Sequence, residues 1–255
     1  MDPIELQNAL DALLQPQLYN DYCPNGMQVE GGRQVRKIVS GVTASFALIE
    51  AAIDAQADAI LVHHGLFWRG YDGRVIGWMR KRLALLLAND ITLYAYHLPL
   101  DAHSELGNNA QLGRKLGWVA RDGALGRFGE QSLGWIGELS ETTGVETAQA
   151  LASHIENTLN RPVTLVDSAR CAINTIAWCS GGAQGYFEAA IAAGADAFVT
   201  GEISEPQAHL ARECGVAYLA CGHHATERFG APAVACHVAA QFGLAHQFID
   251  IDNPA

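Results

Sequence analysis

Basic residues, long apolar runs and paired cysteines are all scarce in this chain, and each shortage closes a class of function. Lysine and arginine total 16 against 27 aspartates and glutamates, a formal charge of -11. A surface of that sign repels a phosphate backbone, so nucleic acid is not an expected partner. A small phosphorylated substrate stays open, because a bound metal ion can dominate the local field. No stretch reaches the roughly 18 to 20 apolar residues that a membrane span needs, and Met1-Asp2-Pro3-Ile4-Glu5 has no basic region ahead of an apolar one, so neither a span nor a signal peptide is expected. The six cysteines, at 23, 171, 179, 214, 221 and 236, contain no Cys-x-x-Cys pair. In a chain this long that points to reduced thiols in a cytoplasmic protein rather than to a disulfide framework. Neither a Gly-x-x-x-x-Gly-Lys-Ser/Thr phosphate loop nor the His-Glu-x-x-His peptidase motif is present.

What is present is enough apolar material to fold: 49% of 255 residues are hydrophobic, comfortable for two domains and too much for disorder. Residues 4 to 14 place apolar groups at helical spacing, and Pro16 discourages continuation. Asp21-Tyr22-Cys23-Pro24-Asn25-Gly26-Met27-Gln28-Val29 carries turn signals ahead of a short strand, and reads either as a buried backbone turn or as a pocket loop. From Val35 the pattern alternates: a strand over 37–42, a helix over about 45–56, a strand over 59–62, a helix over about 75–88 and a strand over 91–96, with a further helix over 108–116. Helices between short apolar strands predict largely parallel pairing.

Glu50-Ala51-Ala52-Ile53-Asp54-Ala55-Gln56-Ala57-Asp58-Ala59 is echoed by Glu188-Ala189-Ala190-Ile191-Ala192-Ala193-Gly194-Ala195-Asp196-Ala197, with strand patterns on both sides of each copy. The expected fold is therefore α/β with two related αβ domains. The Gly-rich stretch 123–137 suggests a boundary near 125–132, and Leu133 to Leu139 reads as an edge or barrel strand. The alternating segment His246 to Ile251 reads as a strand returning to the first sheet. The second domain is then inserted in the first: residues 1–128 plus 229–255 form one, residues 129–228 the other.

Three acid and histidine clusters follow apolar runs: Ala59-Ile60-Leu61-Val62 leads into His63-His64, and His97-Leu98-Pro99-Leu100-Asp101 and His223-His224-Ala225-Thr226-Glu227 follow similar strands. Ends of strands are where sites of open α/β folds collect, and imidazole with carboxylate suits zinc, iron, nickel or manganese. Adjacent histidines on extended backbone point apart, but a turn at Gly65 would aim both at one cavity; an ordinary structural role is the plainer reading of either alone. His223 and Glu227 share one helical face if the chain turns helical after Gly222, with His224 directed elsewhere, to substrate or to a ligating carboxylate. Asp101 would by itself cap a turn; beside His97 it reads as a metal ligand, and His97 as its supporting group or a general base. Phe67 and Trp68 form either a stacking wall for a base or ordinary packing. Ser180-Gly181-Gly182-Ala183-Gln184-Gly185 forms either a phosphate-binding turn or a tight strand-to-helix connection.

Through Pro24-Asn25-Gly26-Met27-Gln28-Val29, Val62-His63-His64-Gly65, His97-Leu98-Pro99-Leu100-Asp101, Gly107-Asn108-Asn109, Gly201-Glu202 and Gly222-His223-His224-Ala225-Thr226-Glu227, the chain resembles the GTP cyclohydrolase 1 type 2 homolog family over essentially its whole length. The resemblance implies two αβ domains, a toroidal homohexamer built as a trimer of dimers, and two divalent metal ions per subunit, held by His63, His64, Asp101, His223 and Glu227. It also implies a dinuclear-metal-dependent hydrolase opening a guanine ring with formate release; for that chemistry His97 or His224 is expected to move protons and Glu202 to orient base or ribose. A hydrolase of other or damaged nucleotides or phosphate esters, and a non-catalytic metal-binding adaptor, are the alternatives.

Overall fold

The computed structural model describes residues 1–140, 144–168 and 172–255; Cys171 falls outside them, and no disulfide joins any two of the five described cysteines. Along the chain run α1 (Pro3–Leu14), β1 (Gly26–Val29), β2 (Lys37–Thr43), α2 (Phe46–Asp54), β3 (Ala59–His64), α3 (Gly77–Ala88), β4 (Thr92–Ala95), α4 (Leu98–Ala102), α5 (Asn108–Leu116), β5 (Trp118–Ala120), β6 (Arg127–Phe128), β7 (Gly134–Leu139), α6 (Ala148–Leu159), β8 (Thr164–Val166), β9 (Thr175–Trp178), α7 (Phe187–Ala192), β10 (Ala197–Thr200), α8 (Glu205–Cys214), β11 (Ala217–Ala220), α9 (His223–Thr226), α10 (Gly230–Phe242) and β12 (Ala245–Phe248). The fold is mixed α/β with two sheets. One compact unit takes residues 1–107 and 228–252 and the other residues 108–227 and 253–255, so the second is inserted in the first.

In the first unit the strand order is β1-β4-β3-β2-β12, with β4, β3, β2 and β12 parallel and β1 antiparallel at the edge. Strand alternation divides its apolar residues between two cores. Val39, Ile60, Val62 and Leu93 pack with α2 and α3 through Leu48, Ile49, Ala52 and Leu86. Ile38, Leu61, Tyr94 and Tyr96 pack on the other face with Leu6 and Leu10 of α1 and Val234 and Val238 of α10. A sheet covered on both faces explains why its strands read as continuous apolar runs. Helix α1 begins with a capping box, Asp2 accepting from the Ile4 N–H and Glu5 from the Asp2 N–H, with Pro3 in the first turn.

The second unit's sheet runs β5-β7-β9-β10-β11-β8, with β6 also on β7; β9, β10 and β11 are parallel and the remaining pairs antiparallel. Strand β7, read from sequence as an edge or barrel strand, lies between β5 and β9. The compact unit also starts at Asn108 rather than near 128. The Gly-rich stretch that resembles a linker belongs to the β5–β7 region of this sheet, and buried Asn109 of α5 ties it in, donating to the Leu133 carbonyl at 3.3 Å and accepting from the Ser180 N–H at 2.8 Å.

The sequence echo marks the same local construction in each unit. Asp58 Oδ2 accepts from the N–H groups of Arg36 and Lys37 at 2.9 and 3.0 Å, at the start of β2. Asp196 Oδ2 accepts from Asn174 and Thr175 at 3.0 and 2.9 Å, at the start of β9. Each aspartate fixes where its strand enters a parallel β-α-β unit, and satisfies two strand-end donors that no ladder partner reaches.

Candidate metal centre

Strand β3 ends in His63 and His64, the first fully buried and the second partly so. No turn is needed to bring them together: both are strand residues, yet their ring centroids are 4.6 Å apart. His63 Nδ1 lies 3.0 Å from the Tyr96 carbonyl, which fixes Nδ1 as its donor nitrogen. His64 Nδ1 meets Thr43 Oγ1 at 3.3 Å across the β2–β3 pair. Asp101, 7% exposed in α4, places Oδ1 at 3.5 Å from His63 Nε2. It reaches that position because β4 ends at Ala95 and Pro99 sits in the first turn of a five-residue helix, whose Asp101 N–H bonds the His97 carbonyl.

His97 is part of this cluster, with centroids 5.0 Å from His63 and 5.7 Å from His64. Its Nδ1 lies 2.8 Å from Asp21 Oδ1. The other Asp21 oxygen accepts from the Leu98 N–H at 2.9 Å and the Asn25 amide at 3.0 Å. Burial pushes the Asp21 carboxyl up, but the His97 and Asn25 hydrogen bonds, the His97 charge and the Leu98 N–H outweigh it and hold the carboxyl far below the usual range. The stretch Asp21 to Asn25, ahead of β1, is thus a loop at the site, and Asp21 is a residue that sequence reasoning missed: its partner is 76 positions away. Cys23, buried nearby, has its thiol pushed up to about 12 by burial and by the charges of Asp21 and Asp101, so it stays a thiol at neutral pH. Trp68 stands edge-on to His97 at 5.1 Å, which places it at the histidine cluster; Phe67 instead packs against the core on the α2 and α3 side.

In the second unit, Gly222 with φ of 97° turns the chain from β11 into the single turn of α9. His223 and Glu227 then face each other, with Nε2 3.2 Å from Oε2. Glu227 is 2% exposed. His223 Nδ1 lies 2.6 Å from Glu202 Oε1, and the other Glu202 oxygen accepts from the Gln184 amide at 3.2 Å. Glu202 therefore orients an imidazole, a contact different from the base or ribose orientation expected of it. Burial pulls the His223 pKa down, but hydrogen bonds and charges from Glu227 and Glu202 win and raise it to about 9. His224 is buried on the same turn, its N–H donating to the Ala255 carbonyl at 3.2 Å, and as the next residue along it leaves α9 in a different direction from His223.

The Ser180–Gly185 loop packs against these side chains. A Cβ at Gly181 would collide with the Glu227 carboxylate and lie 3.2 Å from His223 Nε2. The N–H groups of Ser180, Gly181 and Ala183 donate to Asn109 Oδ1, Thr226 Oγ1 and Thr200 Oγ1. The loop is a tight connection rather than a phosphate cradle, because three of its amides already have protein acceptors.

Each donor set fits a metal ion on chemical grounds. In His63, His64 and His223 the Nδ1 atom is held by a carbonyl, a hydroxyl or a carboxylate, which leaves ligation to Nε2. Such backing is how proteins orient metal-bound imidazole. The carboxylates of Asp101 and Glu227 lie nearly out of water, where a negative charge needs a cation. Among the described residues no helix is long and apolar enough to cross a membrane.

The model of the Duf34/NIF3 (NGG1p interacting factor 3) family matches residues 1–254. A Pseudomonas aeruginosa protein named GTP cyclohydrolase 1 type 2 homolog is 51% identical over 96% of this chain and 95% of its own. One of the same name from Vibrio cholerae is 48% identical over the full length of both. Among solved structures, that of protein ybgI, described as of unknown function, has a TM-score of 0.93 at 45% identity, and TTHA1606 from Thermus thermophilus 0.88 at 34%, each covering both chains completely. With a family model spanning nearly every residue and relatives near half identity end to end, the chain belongs to the Duf34/NIF3 family.

Proposed function

We propose that this protein is a divalent-metal-dependent hydrolase, holding two ions of zinc, iron, manganese or nickel through His63, His64, Asp101, His223 and Glu227. The observation that carries it is the backing of Nδ1 in three separate histidines, by Tyr96, Thr43 and Glu202. Core histidines have no common reason to present the same nitrogen; ligands do. When bound, the ions supply Lewis acidity and an acidified water. The chain's own part is to hold neutral imidazoles by Nδ1, to place two buried carboxylates against the positive charge, and through Glu202 to keep the His223 ring in orientation.

Ring opening of GTP with formate release is the specific reaction we propose, since relatives close to half identical carry that name as homologs. The triphosphate would be bound outside the Ser180–Gly185 loop, three of whose amides are engaged. Trp68, beside His97, is the aromatic surface available to a base. Assembly as a homohexamer, a trimer of dimers, and residence in the cytoplasm belong to the same proposal. A second reading, a metal-containing adaptor, is favoured by the family's description as an interacting factor.

The test is formate production from GTP by metal-reconstituted protein, with a His63→Ala/Asp101→Ala variant as control. Metal-dependent formate lost in the variant supports the ring-opening reaction. Bound metal without formate removes it, and phosphate release alone moves the proposal to another hydrolase.

A further inference from the structure

The turn that carries His223 and Glu227 is too short to hold itself. Helix α9 spans four residues, His223–Thr226, well below the length at which helical bonds offset the cost of starting a helix. The first amides of a helix have no partner within it, and the capping position here is Gly222, which has no side-chain acceptor to offer them. Glycine is required at that position: φ is 97°, and a Cβ would land on the Arg161 guanidinium. Residues 253–255 supply the acceptor instead. The Ala255 carbonyl accepts from the His224 N–H at 3.2 Å and from Arg161 Nη1 at 2.8 Å, while Arg161 Nη2 donates to the Pro254 carbonyl at 3.2 Å.

Each partner in this contact is itself fixed. Arg161 follows Asn160, the left-handed C-cap of α6, and its N–H donates to the Glu156 carbonyl at 3.3 Å. Asn253 Oδ1 accepts from the Ala255 N–H at 2.9 Å and Pro254 stiffens the backbone between them, so two successive carbonyls face one guanidinium fork. All of these residues belong to the second unit, which residues 253–255 rejoin after the chain has passed through α10 and β12. We propose that residues 253–255, clamped by Arg161, form a helix cap supplied from outside α9, and that Arg161 is thereby a positioning residue for the His223 and Glu227 side chains. The cap ties the beginning of the turn at His224, and Thr226 Oγ1 ties its end to the Gly181 N–H. These ties bracket the turn in which His223 Nε2 meets Glu227 Oε2. The effect on ligand binding rests on the metal reading above; the cap itself does not.

The experiment compares the full chain with Arg161→Ala, Arg161→Lys and a chain ending at Asp252, by amide hydrogen exchange of the metal-free protein and by calorimetry with zinc. Exchange at His224, Thr226 and Glu227 should quicken by about 2- to 30-fold in Arg161→Ala and in the shortened chain, the range for loss of a helix cap, with the amides of β9 and β10 unchanged. Arg161→Lys keeps one donor for the carbonyls and should recover part of the protection. Zinc binding should weaken by about 3-fold or more in the first two variants, because only the fraction with the turn formed is competent to bind. Wild-type protection at His224 in both, or quickened exchange spread evenly over the whole unit, would overturn the proposal. Local quickening with unchanged zinc affinity would overturn the positioning role. Wild-type protein that takes up no zinc would end the metal reading, and the exchange result would still decide the cap. Should Arg161→Ala fold poorly, the shortened chain decides, because it removes exposed residues and leaves Arg161 in place.

Discussion

Gly181 and Glu227 fit together only because Gly181 has no side chain: a Cβ there would overlap the buried Glu227 carboxylate, and φ of 68° places the residue where side chains are rarely tolerated. The loop after β9 and the turn that carries His223 are therefore packed backbone against carboxylate, with the Gly181 N–H on Thr226 Oγ1 at 2.9 Å as the second tie.

Gly181→Ala is expected to push Glu227 aside and weaken metal binding by about 10-fold or more, as loss of ligand positioning does, with a smaller effect on stability. Gly185→Ala, at a position where a Cβ would meet nothing within 4 Å, is the control. Isothermal titration with metal checks both; equal affinity in the two variants would contradict the packing role.

Asp58→Ala and Asp196→Ala should each destabilise their own unit by about 1.5 to 3 kcal/mol, the scale of hydrogen bonds to a charged acceptor. The two substitutions should be nearly additive, because each acts within one unit. Asn at either position keeps an acceptor and should recover part of the loss. Urea unfolding followed by circular dichroism measures all five variants, the Asp58→Ala/Asp196→Ala double included.

The two shifted groups give the metal-free protein opposite pH dependences. His223 has a folded pKa raised to about 9, so the stability it contributes is complete below its ordinary value near 6.5 and is lost as pH rises through about 9. Asp21 is depressed, so its contribution is present above the ordinary carboxylate value near 4 and is lost on acidification below it. Thermal unfolding of metal-free protein across pH 3 to 10 should fall at both ends. His223→Gln should flatten the alkaline fall alone and Asp21→Asn the acid fall alone. Metal must also displace the His223 proton, so apparent affinity should rise with pH up to about 9.

Much of this was legible in the sequence where spacing was local. The strands of the first unit, the Asn108 to Leu116 helix and the Glu50 and Glu188 echo follow periodicity, and the echo maps onto the β2-α2-β3 and β9-α7-β10 segments. His63, His64, Asp101, His223 and Glu227 stand out because they end apolar runs at short spacings. Asp21 and the role of Glu202 did not: Asp21 reaches His97 across 76 positions and Glu202 reaches His223 across 21, and neither pairing leaves a periodic trace. The unit boundary was misplaced because glycines in a packed antiparallel sheet and glycines in a linker have the same composition. Tertiary contacts such as those of Asn109 to Leu133 and Ser180 distinguish them.

Elemental analysis of purified, metal-reconstituted protein tests the central claim most directly, comparing wild type with His63→Gln/Asp101→Asn and His223→Gln/Glu227→Gln. Two divalent ions per wild-type subunit, with a loss in each double variant while both remain folded, is the expected result. Wild-type protein without stoichiometric metal, or variants that retain it in full, would contradict the assignment of these residues as ligands.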